Sequence, residues 1–181
     1  MDAVRVGINV EVQAFAEHHL PLWPRTGHEV WAELRSRRGV ALITPPSVEQ
    51  PDADAAAVAS LFASLVHDDP VPVGLTLAAF DHAPADSEVF TALLGHAVLT
   101  DLDVLFDVDL HLDPLRLLRR LAASRAGVVA VWPGSVQGAN TRYASPGHRD
   151  YFEARLSECL LLHPRSTVFD DQAPFDLERL P

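Results

Sequence analysis

The sequence predicts a single α/β domain: a mainly parallel sheet of about four or five strands, covered by helices in three layers. Three observations lead there. Short apolar runs at Val40 to Ile43, Ala97 to Leu99 and Val128 to Trp132 lack alternation, which suits strands buried on both faces. Helical patterns lie between them, over residues 54 to 66, 86 to 94 and 113 to 125. Finally, His96 to Trp132 reads as a complete β-α-β unit, with its acids at the end where an open α/β sheet carries its site.

Each element follows from local chemistry. Residues 9 to 20 read as a first helix capped by Asn9, with Val12, Phe15, Ala16 and Leu20 on one face; Pro21 and Pro24 end it. Trp23 reads as an anchor beside that proline turn. Residues 27 to 38 form a second helix with Val30, Trp31 and Leu34 inward, and Gly39 closes it. The strand at Val40 to Ile43 leads through a loop into a helix from about Asp54 to Val66, rich in Ala and Leu. Val71 to Ala78 reads as a strand whose irregular start is marked by Pro70 and Pro72. Asp113-Pro114 starts a helix as N-cap and first helical residue, Leu115, Leu117, Leu118, Leu121 and Ala122 form its inner face, and Gly127 stops it.

Past Trp132 the pattern breaks. Residues 133 to 150 read as a long loop, and a short helix follows near Phe152 to Leu156. Leu160 to Leu162 and Thr167 to Phe169 are the last candidate strands, and the acidic tail is expected to be loosely held. The expected division is residues 1–39 as N-terminal helices packed on the core, 40–170 as the core and 171–181 as the tail, all one domain.

Composition narrows the function. A chain of 181 residues with 48% hydrophobic content can build a proper core. It has no apolar run near the roughly 20 residues a membrane span needs, and no signal-peptide layout at its start. The single cysteine, Cys159, fits a reducing compartment, and a cytoplasmic protein is expected. Net charge is −11, which disfavours broad contact with nucleic-acid backbones and leaves DNA contact indirect at most. All 14 basic residues are arginine, so lysine chemistry is excluded, including a phosphate-loop lysine.

Several constellations could carry chemistry. A strand, a loop and a helix over residues 40 to 66 is the frame of a phosphate-binding loop. Thr44 to Asp54 nevertheless holds no glycine, no lysine and three prolines, with Glu49, Asp52 and Asp54 repelling phosphate. Asp101 and Asp103 are the best candidates for a Mg²⁺ site; the competing reading of the acids from Asp101 to Asp113 is a solvated loop plus a helix cap. Arg116, Arg119, Arg120 and Arg125 are a candidate partner face, against a plainly solvated helix face. Cys159 and His163 lack a third zinc ligand, and Ser145 beside His148 is a weak basis for a nucleophile–base pair.

The string LFDVDLHLDPLRLLRRLAASRAGVVAVWPG, followed by TRYASPGHRDYF, resembles the second half of the BrxF family. These are the small P-loop proteins of BREX bacteriophage-defence systems. The resemblance rests on Leu105-Phe106-Asp107, Asp113-Pro114-Leu115-Arg116-Leu117-Leu118, Ser124-Arg125, Trp132 with Gly134, and Tyr143-Ala144 before Pro146-Gly147-His148. It covers residues 97 to 152. It implies a P-loop NTPase-like fold, with the Walker A slot at Thr44 to Asp54 and the Walker B acid at Asp101, or Thr100 in the other register. The segment with Tyr143, Pro146, Gly147 and His148 recurs in that family and is a candidate functional loop for binding or assembly. The expectation is a bacterial antiviral-defence component with a degenerate Walker A loop, a pseudo-ATPase without cofactor, whose partners are other proteins of the complex. Two alternatives stand beside it. One is an ATP- and Mg²⁺-dependent ATPase centred on Asp101 and Asp103; the other is a nucleic-acid-facing adaptor using the 113–125 helix.

Overall fold

The computed structural model describes residues 23–24, 26–45, 54–165 and 175–180. The helix expected over residues 9 to 20, the strand expected at Thr167 to Phe169 and the side chain of Trp23 lie outside them.

The strands are β1 (Trp23–Pro24), β2 (Val40–Ile43), β3 (Val71–Pro72), β4 (Val98–Thr100), β5 (Val128–Val131), β6 (Ser135–Gln137), β7 (Asn140–Tyr143), β8 (Phe152–Arg155), β9 (Cys159–Pro164) and β10 (Phe175–Arg179). The helices are α1 (Gly27–Arg37), α2 (Ala55–Val66), α3 (Val73–Ala78), α4 (Asp86–Leu93) and α5 (Pro114–Ser124). Seven strands form one sheet in the order β1-β10-β9-β2-β5-β4-β3. β9, β2, β5, β4 and β3 run parallel, and β10 and β1 add an antiparallel edge.

Both faces of this sheet are covered, which explains the unbroken apolar runs. Ala41 and Ile43 of β2 pack with Val30, Leu34, Val58 and Phe62 of α1 and α2. Val40 and Leu42 pack with Val73, Leu93, Leu117 and Leu118 of α3, α4 and α5 on the other face. The fold is therefore three-layered α/β, as expected, with more strands than expected. β2 and β4 share the sheet with β5 between them.

The expected Asp113 cap is formed, and Asp54 and Thr26 supply two further caps. Asp54 caps α2 by accepting from Ala56 N and Ala57 N at 2.9 and 3.1 Å, and Asp113 caps α5 by accepting from Arg116 N at 3.0 Å. Thr26 and Glu29 form a reciprocal capping box on α1.

Four expectations are corrected. Only Val71–Pro72 of the 71–78 segment is a strand; the rest is α3, where Val73 and Leu77 share the inner face. The two prolines at 70 and 72 leave few ladder donors, so β3 stays a short edge strand. Residues 133 to 150 are not an open loop: β6 and β7 form a hairpin, and β8 completes a three-stranded antiparallel sheet. Phe152–Arg155 is therefore a strand and not a short helix, with Phe152 and Ala154 turned to the core. The acidic tail supplies β10, because Phe175 and Leu177 alternate inward and Phe175 stacks on Phe62 with ring centroids 5.6 Å apart.

Candidate functional site

The carboxyl ends of the parallel strands are where an open α/β sheet presents its site. Beyond β4 the acidic stretch winds into two short 3-10 turns, Asp103–Phe106 and Val108–Leu110, before α5 begins. Leu102 and Leu105 are fully buried and Phe106 nearly so, so the apolar residues pin this stretch down while the aspartates point outward.

The structure brings this stretch against the 143–152 segment. Tyr143 Oη donates to Asp103 Oδ1 at 3.2 Å, and its ring stacks on Phe106 at 4.1 Å between centroids. Burial first, and the Asp103 carboxylate second, push the Tyr143 phenol above its ordinary pKa. Phe106 also meets Trp132 and Phe152 edge-on, each at 5.3 Å. Arg149, which sequence reasoning passed over, ties the two segments together. Its Nη2 lies 2.7 Å from Asp109 Oδ2, and its Nε lies 3.3 Å from Asp150 Oδ1. A cavity of about 330 Å³ opens between Phe106, Leu112, Arg149 and Tyr151.

The flagged residues fall into different roles. Asp101 is exposed at a φ of +54°, and its carbonyl accepts from Gly74 N at 3.2 Å. A Cβ at position 74 would meet the end of the exposed Asp101 side chain, which would have to turn aside. Asp103 is held by Tyr143, and among the described residues no group of three His, Cys, Asp or Glu side chains converges as a metal site. Pro146, Gly147 and His148 form an exposed turn, where His148 Nδ1 accepts from Asp150 N at 3.2 Å. Ser145 meets His148 through its backbone carbonyl.

The arginines of α5 diverge. Arg116 is exposed. Arg119 donates to the Ser157 carbonyl and hydroxyl, both at 3.2 Å. Arg120 pairs with Asp86 and lies 4.5 Å over the Phe90 ring. Arg125 is half-buried. Cys159 and His163 sit four positions apart on β9, roughly 13 Å along a strand, too far to share a metal ion.

One grouping carried no sequence signal. At the ends of β2 and β9, Thr44 Oγ1 lies 3.0 Å from His163 Nδ1, and His163 Nε2 lies 3.0 Å from Glu178 Oε2. Thr44 is only 4% exposed, so this hydroxyl–imidazole–carboxylate chain orders the strand ends and offers no accessible nucleophile.

ATP and Mg²⁺, the groups the family resemblance implies, do not fit the residues present. The first-turn N–H groups of α2 that would cradle a phosphate already donate to the Asp54 carboxylate. Prolines stand at 45, 46 and 51 in the preceding segment, and no lysine exists to reach a phosphate. The arrangement is an acidic shelf of Asp103, Asp107 and Asp109 backed by Phe106, Tyr143 and Phe152. No protein-family model, no curated protein and no solved structure matches this chain.

Proposed function

We propose that this chain is a non-catalytic, P-loop-like component of a BREX-type anti-phage defence complex, acting through protein contacts and not through ATP turnover. The observation that carries the reading is Asp54. β2 lies among the parallel strands and precedes α2 in the chain, an order that resembles the strand–loop–helix frame of a phosphate loop. In that frame a carboxylate caps Ala56 N and Ala57 N where a phosphate would need those donors. The charge of the helix N-terminus is thus satisfied internally.

The resemblance to the BrxF family over residues 97 to 152 supplies the biological setting. The docking of the Tyr143–His148 segment onto the acidic stretch supports a contact surface there, formed jointly by Asp103, Asp109, Tyr143 and Arg149. The test is purification of the tagged chain from its native host during phage challenge. Co-elution with the products of neighbouring defence genes, lost on Arg149→Ala, is expected. Elution alone, with phage restriction unaffected by deletion of the gene, would contradict the reading.

A further inference from the structure

We propose that a second cavity, at the amino-terminal end of the sheet, binds an organic phosphate with a dianionic head and an apolar body. Its volume is about 620 Å³, within the roughly 300–1,000 Å³ of small-molecule sites. It lies between the end of α1, the starts of β2 and β9 and the end of β10. The acidic shelf is at the other end of the strands.

Charge carries the assignment. Arg37, Arg38, Arg119 and Arg179 line the cavity against Glu33 and Glu158, four cations to two anions in a chain of net charge −11. Glu33 is already engaged: Arg179 donates to its Oε1, and Arg37 Nε lies 3.5 Å from the same oxygen. Stabilising the carboxyl end of α1 accounts for Arg37, which lies in its last turn. It does not account for Arg119 and Arg179, which arrive from α5 and β10.

The guanidinium groups are also held in place. Arg38 Nη1 donates to the Ala123 carbonyl and Arg119 Nη2 to Ser157, each at 3.2 Å, so both are anchored before any ligand arrives. These contacts use a minority of the N–H donors on each group. Fixed guanidinium forks match phosphate oxygens bidentately, and a phosphate monoester carries about −1.5 to −2 near neutrality, which offsets the excess of the lining. Leu34, Val40, Leu160 and Leu180 supply apolar wall for the body of the ligand. A bare inorganic ion would leave that wall unused.

Calorimetric titration of the full chain with phenyl phosphate, without Mg²⁺, tests the proposal, with inorganic phosphate and benzoate as comparisons. Phenyl phosphate is expected to bind with a submillimolar Kd and more tightly than either comparison. The double variant Arg37→Gln/Arg119→Gln should weaken it by about tenfold or more, while Arg116→Gln on the exposed face of α5 should not change it. In the unsubstituted protein, amide shifts on saturation should centre on Gly39, Val40 and Leu180. That map locates the ligand even if the double variant fails to fold. No saturable binding, equal affinity for benzoate, or shifts centred on Thr44 and Thr100 would overturn the proposal. Shifts centred on Thr44 and Thr100 would count against the non-catalytic reading of the β2–α2 segment as well, whereas absent binding or equal affinity for benzoate overturns this proposal alone.

Discussion

Tyr143 Oη donates to Asp103 Oδ1 at 3.2 Å, joining residues 40 positions apart in the sequence. Tyr143→Phe should therefore keep the Phe106 stack and lose one hydrogen bond to a carboxylate, costing about 1–2 kcal/mol. The sign of the pH dependence follows from the raised phenol. The unfolded phenol ionises first, so the stability contributed by Tyr143 is complete below its ordinary pKa of about 10 and is lost as pH rises toward the folded value. Urea melts of the two proteins should converge above that pH; a constant gap would sink the account of this contact.

Leu117 and Leu118 are both 0% exposed beneath α5. Leu117→Asp and Leu118→Asp should each destabilise the fold by about 3 kcal/mol or more, because each buries an unpaired charge. An unchanged thermal midpoint in either variant would mean that α5 does not pack on the sheet.

The small sheet hangs on Trp132, whose Nε1 donates to Thr141 Oγ1 at 2.6 Å while that hydroxyl donates on to the Ser135 carbonyl at 3.0 Å. Thr141→Val preserves shape and leaves a buried indole N–H without its acceptor, which should cost about 1–3 kcal/mol. Near-UV circular dichroism should lose Trp132 intensity before global melting. A spectrum and midpoint like those of the unsubstituted protein would remove this bond from the account.

Phe175 is fully buried against Phe62 at the inner end of β10. Phe175→Ala should cost about 3–5 kcal/mol, far more than a loosely held tail allows. Chemical denaturation measures it, and a change near zero would show that β10 contributes little.

How much was legible in the sequence depended on whether an element announces itself locally. Asp54 and Asp113-Pro114 mark helix starts within a few residues, and Val40–Ile43 and Val128–Val131 are apolar throughout because both their faces are covered. The β6–β8 sheet was hidden because it is mostly solvated: Asn140, Arg142, Glu153 and Arg155 face outward and read as loop composition. β10 was hidden for a related reason, its acidic surroundings masking the alternation of Phe175 and Leu177. At the site, the acids and the Tyr143 segment were both visible, but their meeting was not. Arg149, which joins them, carries no positional signal of its own. The Thr44–His163 contact spans 119 positions and depends on the pairing of β2 with β9, so only the folded chain reveals it.

The proposed kinship with phosphate-loop proteins meets a strand-to-helix step whose residues lack nucleotide chemistry: Asp54 occupies the first-turn donors of α2, prolines stand at 45, 46 and 51, and the chain has no lysine. Calorimetry with ATP, run with and without Mg²⁺ and paired with a phosphate-release assay, tests that lack most directly. The Asp54 cap on Ala56 N and Ala57 N, the prolines and the missing lysine predict no Mg²⁺-dependent binding and no hydrolysis. A micromolar, Mg²⁺-dependent Kd that Asp101→Asn abolished would contradict the account and favour the ATPase alternative, which phosphate release would then have to show.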